Sequence, residues 1–74
     1  MKTKIKIGAI YEHFKGGRYK VIGIAKHTGT LEDMVVYEAQ YENKISKLWA
    51  RPIDDFLGSK EINGKEVKRF IELT

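Results

Sequence analysis

Seventy-four residues are enough for one domain, because a second core would have too few apolar side chains. With 42% hydrophobic and 32% charged residues, the chain has the composition of a folded soluble domain, and no apolar run is long enough to span a membrane. The absence of cysteine excludes a disulfide framework and thiolate metal sites. No apolar segment resembling a secretory signal is present, so we expect a cytoplasmic domain over residues 1–74.

The net charge of +4 is unevenly distributed along the chain. Residues 1–29 carry seven basic side chains and one acidic side chain, and three of these lysines lie in a basic N-terminal segment over residues 1–7. Residues 30–59 carry six acidic and three basic side chains. A basic first part favours a polyanionic partner, although charge alone does not identify that partner.

Short runs rich in β-branched and aromatic residues, separated by glycines, predict strands along the whole chain. In the clearest run, alternate residues from Val35 to Tyr41 fall on one face, which is the period of a strand packed on one side. The predicted strands are Tyr11–Lys15, Arg18–Ala25, Met34–Glu42, Lys47–Ile53, Lys60–Ile62 and Lys65–Leu73.

Two pairs of residues predict hairpin turns. Gly16-Gly17 supplies the positive φ angles of a two-residue turn, and Asn63-Gly64 is the strongest turn signal in the chain. A single helical turn is predicted over residues 54–57, with Asp54 as its cap and Gly58 at its end.

Together these elements predict an all-β fold, a small antiparallel barrel of five to six short strands with one helical turn. Such a small domain depends on a few large core residues. The predicted core residues are Ile10, Phe14, Tyr19, Val21, Val35, Tyr37, Ala39, Leu48, Ile53, Phe56, Leu57 and Ile71.

Several motifs occur together in a familiar order and spacing, from about Gly8 to Phe70. They are Tyr11–Gly16, Ala25–Thr28 with Thr30 and Glu32, Val35–Tyr37 and Trp49–Pro52. In these motifs the chain resembles the bacterial and phage family called Domain of Unknown Function 1653. The resemblance implies a compact, SH3-like β-barrel, and it brings no established activity and no catalytic residues.

The first hairpin is the main candidate for a binding surface. A two-residue turn at Gly16-Gly17 places Lys15 opposite Arg18 and puts one set of side chains on the outer face of the hairpin. That set is Tyr11, His13, Lys15, Arg18 and Lys20. Cationic groups around an aromatic ring suit a phosphate backbone with stackable bases, and the alternative is a solvated strand face.

Trp49 and Arg51 form a second candidate, because they share one face of the strand Lys47–Ile53. If Leu48 points inward, both side chains point outward as stacking and anion-binding groups. The alternative is that Trp49 is a principal core residue with Arg51 at its rim, since one Trp buries a large area.

The loop after the second strand offers secondary candidates for ligand binding, His27, Thr28 and Glu32. Side-chain to backbone hydrogen bonds within the loop are the favoured alternative. The two histidines match no metal-ligand spacing, so no metal or other cofactor is predicted. Ser46 and Ser59 lie in turns without a nucleophile-elbow sequence, and no catalytic residue is assigned.

These observations favour a non-enzymatic binding module for nucleic acid or a nucleotide. The alternative is an SH3-like module that receives an extended peptide in an aromatic groove of Tyr11, Tyr37 and Trp49. A small enzyme is a third and weaker hypothesis. No membrane partner is predicted, and the sequence leaves the oligomeric state open.

Overall fold

The computed structural model describes residues 5–73, so part of the predicted N-terminal basic segment, residues 1–4, lies outside the described residues. The chain forms short strands and one short helix, which confirms the all-β class. In chain order they are β1 (Ile10–His13), β2 (Arg18–Lys26), β3 (Asp33–Ala39), β4 (Leu48–Pro52), α1 (Ile53–Leu57), β5 (Ser59–Ile62), β6 (Lys65–Lys68) and β7 (Phe70–Glu72).

The strands of residues 5–73 form two antiparallel sheets, which do not close into the predicted barrel. The larger sheet has the order β4-β3-β2-β1-β7, and β5 and β6 form a separate hairpin. The long strand predicted over residues 65–73 is interrupted at Arg69, so that β6 pairs with β5 while β7 pairs with β1. Because the pairing partner changes at Arg69, the ladders of residues 5–73 do not close into one barrel.

The core lies on one face of the five-stranded sheet, where α1 packs against it. The predicted alternation in β3 is confirmed, since Val35, Tyr37 and Ala39 are buried. Aromatic rings fill much of the remaining space, and Phe56 and Phe70 stack with ring centroids 4.0 Å apart. Burying one such ring contributes about 1.5–3 kcal/mol, so these few residues dominate the stability of the domain.

Several core predictions are wrong because a neighbouring residue takes the inward position. Leu48 and Ile71 are about half exposed, since the alternation of their strands turns Trp49 and Phe70 inward. Leu57 is exposed because Phe56 is the buried residue of α1. Of the other predicted residues, Val21 and Phe56 are fully buried, whereas Ile10, Phe14, Tyr19 and Ile53 are partly buried.

The first hairpin has a different register from the predicted one. Gly16 N donates to His13 O and His13 N donates to Gly17 O, so the tight turn is centred on Phe14 and Lys15. Gly16 follows the two central residues of that turn and has a positive φ of 106°. Arg18 therefore pairs with Glu12 and not with Lys15. This shift of three residues exchanges the two faces of β1 relative to β2.

The second hairpin and the helix were predicted more closely. Ile62 pairs with Lys65, and Asn63 and Gly64 have φ angles of 52° and 79°, which confirms the two-residue turn. The helix ends at Gly58, whose backbone N–H donates to Asp55 O. The prediction that Asp54 caps it is wrong, because the helix begins at Ile53 and Pro52 takes the N-cap position.

Candidate functional site

An open depression of about 570 Å³ lies beside the β1–β2 loop, and we call it the hairpin pocket. It is lined by His13, Lys15, Gly16, Gly17, Arg18, Tyr19, Gln40 and Tyr41. Three of the predicted ligand-binding residues, His13, Lys15 and Arg18, are therefore brought together. The pocket joins one loop, the start of β2 and the segment that follows β3.

Two tyrosines form the aromatic wall of the hairpin pocket. The Tyr19 and Tyr41 hydroxyls are hydrogen-bonded to each other, and their rings meet edge to face at 5.6 Å. Burial and this hydrogen bond raise the pKa of Tyr19 to about 12, so its hydroxyl is neutral at physiological pH. Tyr41 remains 44% exposed and presents ring surface to solvent.

Gly17 allows Tyr41 to lie directly against the loop backbone. A Cβ atom at this position would be 2.9 Å from Tyr41 Cε1 and 3.3 Å from its hydroxyl oxygen. Carbon atoms do not approach so closely, and therefore any larger residue would push the ring away. Glycine is thus required here for close approach of the ring.

His13 lines the hairpin pocket and contacts two phenylalanine rings. Its ring centroid is 4.4 Å from that of Phe14 and 4.9 Å from that of Phe70. Lys15 N lies 3.2 Å from His13 Nδ1 and donates to it, so Nδ1 is unprotonated and Nε2 carries the ring proton.

The pKa of His13 is lowered from 6.5, first by burial and then by nearby cations. Those cations are Arg51, Lys15, Arg69 and Lys60. They come from β4, the first hairpin loop, the link between β6 and β7, and β5. His13 is consequently neutral near pH 7 in a locally positive environment.

Arg51 and Trp49 lie on the core face of β4, where Trp49 is partly buried and packs against the core cluster. Trp49 pairs with Tyr37 across the strands, and its indole N–H donates to Ser46 O at 2.9 Å. Arg51 Nε donates to the Tyr37 hydroxyl at 3.4 Å, and its guanidinium carbon lies 5.7 Å from the Phe70 ring centroid. Arg51 therefore contributes charge near His13, whereas Trp49 does not line the hairpin pocket.

The predicted grouping of Tyr11 with the basic residues of β2 is wrong, because the register shift places Tyr11 on the face opposite to Arg18 and Lys20. Tyr11 is only 4% exposed and packs edge to face against Phe56 at 5.1 Å. Lys20 lies on the opposite face of the sheet, directly across from Glu38. Since Tyr11 and Tyr37 are both buried, the aromatic groove predicted for a peptide is not an open surface.

The secondary candidates lie at the far end of β2, away from the hairpin pocket. His27 Nδ1 accepts hydrogen bonds from Gly29 N at 3.0 Å and Thr30 N at 3.2 Å. Thr30 Oγ1 donates to Glu32 Oε1 at 2.9 Å, while Thr28 lies exposed in the same turn. These bonds support the favoured interpretation that the loop stabilises its own turn.

Tyr19, Gln40 and Tyr41 were not among the predicted ligand-binding residues. Tyr41 was placed on the face of Val35 and Tyr37 by alternation, but β3 ends at Ala39 and Tyr41 continues towards the first hairpin. In the sequence, the tyrosine at the end of an alternating run was the signal that could have identified Tyr41 as a site residue. Tyr19 was assigned to the core and is only partly buried there.

The fold and the pocket define a small all-β domain with a basic, aromatic surface depression. The family model "Protein of unknown function (DUF1653)" matches residues 9–72. The chain belongs to this family, as its motifs predicted.

A crystal structure of a DUF1653 protein from Bordetella bronchiseptica is similar to this chain. It is 25% identical, with a TM-score of 0.79, over 90% of this chain and 85% of that chain. No functionally curated protein matches significantly. Among residues 5–73, no helix is long and apolar enough to cross a membrane.

Proposed function

We propose that this protein is a non-enzymatic binding module for single-stranded nucleic acid or a nucleotide, with the ligand held in the hairpin pocket. The observation that carries the proposal is the meeting of Lys15, Arg18 and His13 with an exposed tyrosine in one depression. Cations beside a stacking surface are what an alternating phosphate and base ligand requires.

The charges of the pocket support an anionic ligand. Within residues 5–73, Lys26 and Lys47 form ion pairs with Asp33 and Glu38, whereas Lys15 and Arg18 form none. Arg18 is the strand partner of Glu12, but the two side chains do not form an ion pair. Phosphate oxygens would supply the missing counter-charge, and a guanidinium can bind them in a bidentate manner.

The aromatic wall supports a ligand with a flat ring. Tyr41 is held by Tyr19, and Asn43 Nδ2 donates to its hydroxyl at 3.2 Å, so its exposed face is already oriented. Stacking of one base on such a ring contributes about 1–3 kcal/mol, and it tolerates any base. Binding with little sequence preference follows from this arrangement.

The test is fluorescence anisotropy of labelled single-stranded DNA and RNA, with unlabelled nucleotides as competitors, over a range of salt concentrations. Each phosphate contact contributes about −0.7 to the slope of log affinity against log salt for a single strand. Replacing both Lys15 and Arg18 with Ala should therefore weaken binding and flatten the slope by about 1.4.

Lys65→Ala is the matched control, because Lys65 is an exposed lysine in the second hairpin, outside the pocket. It should change neither the affinity nor the slope. Absence of binding at low salt, or a slope that the double variant leaves unchanged, would overturn the proposal. A protein partner captured equally well at high salt would instead support the peptide-binding alternative.

A further inference from the structure

Phe14 lies between His13 and Lys15 in the first hairpin and contacts lysines from the first hairpin loop and from β5. Lys15 Nζ lies 5.8 Å from the centroid of its ring, and Lys60 Nζ from β5 lies 6.0 Å from the same centroid. The Phe14 backbone N–H also donates to Arg69 O at 3.0 Å. Phe14 thus connects the first hairpin loop to β5 and to Arg69, which links β6 and β7.

The two ammonium groups over Phe14 have no ion-pair partner within residues 5–73. A ring face attracts each cation, but it does not neutralise the charge of either one. The positive charges of Lys15 and Lys60 both contribute to lowering the pKa of His13, after its burial and the charge of Arg51. Positive charge therefore continues from the hairpin pocket across Phe14 to β5.

Acidic side chains mark the end of this positive surface. Glu61 follows Lys60 directly and pairs across the hairpin with Glu66. Both residues line a depression together with Lys60, and neither lines the hairpin pocket. They would repel a phosphate that extended beyond Lys60, so the surface has a defined length.

We propose that the ligand site spans both sheets, from Arg18 and Lys15 over Phe14 to Lys60, and that its ligand is a single-stranded oligonucleotide and not a mononucleotide. This inference rests on the proposed function of the hairpin pocket. A mononucleotide occupies the pocket alone, whereas a longer strand also places a phosphate at Lys60.

The test measures the affinity of unlabelled oligothymidylates, from the mononucleotide to the octamer, at several salt concentrations. For the wild-type protein, affinity should rise with length and the salt slope should steepen by about 0.7 once a phosphate reaches Lys60. Further nucleotides should then add little. Lys60→Ala should remove the extra slope and leave mononucleotide binding unchanged.

Lys65→Ala is again the matched control, since Lys65 lies on the partner strand of the same hairpin. Equal thermal unfolding of the two variants would show that both are folded. If Lys60→Ala leaves the length dependence unchanged while short ligands still bind, the extended site is wrong and the proposed function stands. If no ligand of any length binds, the proposed function itself fails.

Discussion

The loops at the two ends of β2 contain similar residues, but within residues 5–73 the lysine at one end forms an ion pair and the lysine at the other end forms none. Each end has a histidine whose Nδ1 accepts a backbone N–H, and each has a lysine nearby. At the far end, Lys26 Nζ lies 2.9 Å from Asp33 Oδ1 and its charge is compensated. At the hairpin pocket, Lys15 forms no ion pair with any residue between 5 and 73.

This difference separates a structural turn from a candidate binding site. The loop from His27 to Glu32 satisfies its own polar groups, so a ligand would have to displace bonds already made. The hairpin pocket leaves cations and one ring face available, so a ligand adds interactions without breaking any. Residue type alone does not distinguish the two loops, since both contain histidine, glycine and a nearby lysine.

Among the variants that test this difference between the two loops, Gly17→Ala should have the largest effect on stability and on binding. The added methyl would displace the Tyr41 ring and remove its hydrogen bond to Tyr19, costing about 1 kcal/mol of unfolding free energy. The loss of an oriented stacking surface should also cost about 1–3 kcal/mol of oligonucleotide binding. Urea denaturation and anisotropy titration measure the two effects separately.

Gly29→Ala at the other end of β2 is the matched control. Its Cβ would lie 3.2 Å from Cε1 of the exposed His27, a contact that a small movement of that ring relieves. Oligonucleotide affinity should not change in this variant. Normal binding by Gly17→Ala would show that the Tyr41 wall plays no part in the site.

A smaller effect is expected in the pH dependence of stability. Burial and nearby cations hold the pKa of His13 below 6.5 in the folded protein. As the pH falls below about 6.5, the unfolded chain therefore takes up a proton that folded His13 does not. The free energy of unfolding should decline through this range and stop responding to His13 once the pH passes its folded pKa.

His13→Gln should reduce this decline in urea denaturation between pH 7.5 and 5. A bound oligonucleotide should raise the pKa of His13, because its phosphates favour the imidazolium form. Oligonucleotide affinity should therefore rise as the pH falls. A decline in His13→Gln as large as in the wild type would show that burial and nearby cations do not lower the pKa of His13.

Much of the fold could be predicted because its signals are local. The alternation from Val35 to Ala39 placed the buried face of β3, and Asn63-Gly64 placed the second turn, since each depends on residues adjacent in the chain. The first hairpin was shifted by three residues because Gly16 acts after the tight turn and not within it. That shift moved Tyr11 to the core face, opposite to the face that carries Lys20.

The candidate site could be predicted only in part, because it is assembled from distant segments. His13, Lys15 and Arg18 are close in sequence and were found through their charge. Tyr41 reaches the pocket only because β3 pairs with β2, and Lys60 reaches Phe14 only because the second sheet packs against the first hairpin. No periodicity within one segment encodes such contacts.

The most direct test of the central claim is an NMR titration of the isotopically labelled protein with a single-stranded oligonucleotide at low salt. We expect chemical-shift changes to concentrate in residues 13–18 and at Tyr41, while the resonances of residues 27–32 stay unchanged. Shifts concentrated at residues 27–32 or along the β4 edge, or no shifts at all, would contradict the assignment of the hairpin pocket as the binding site.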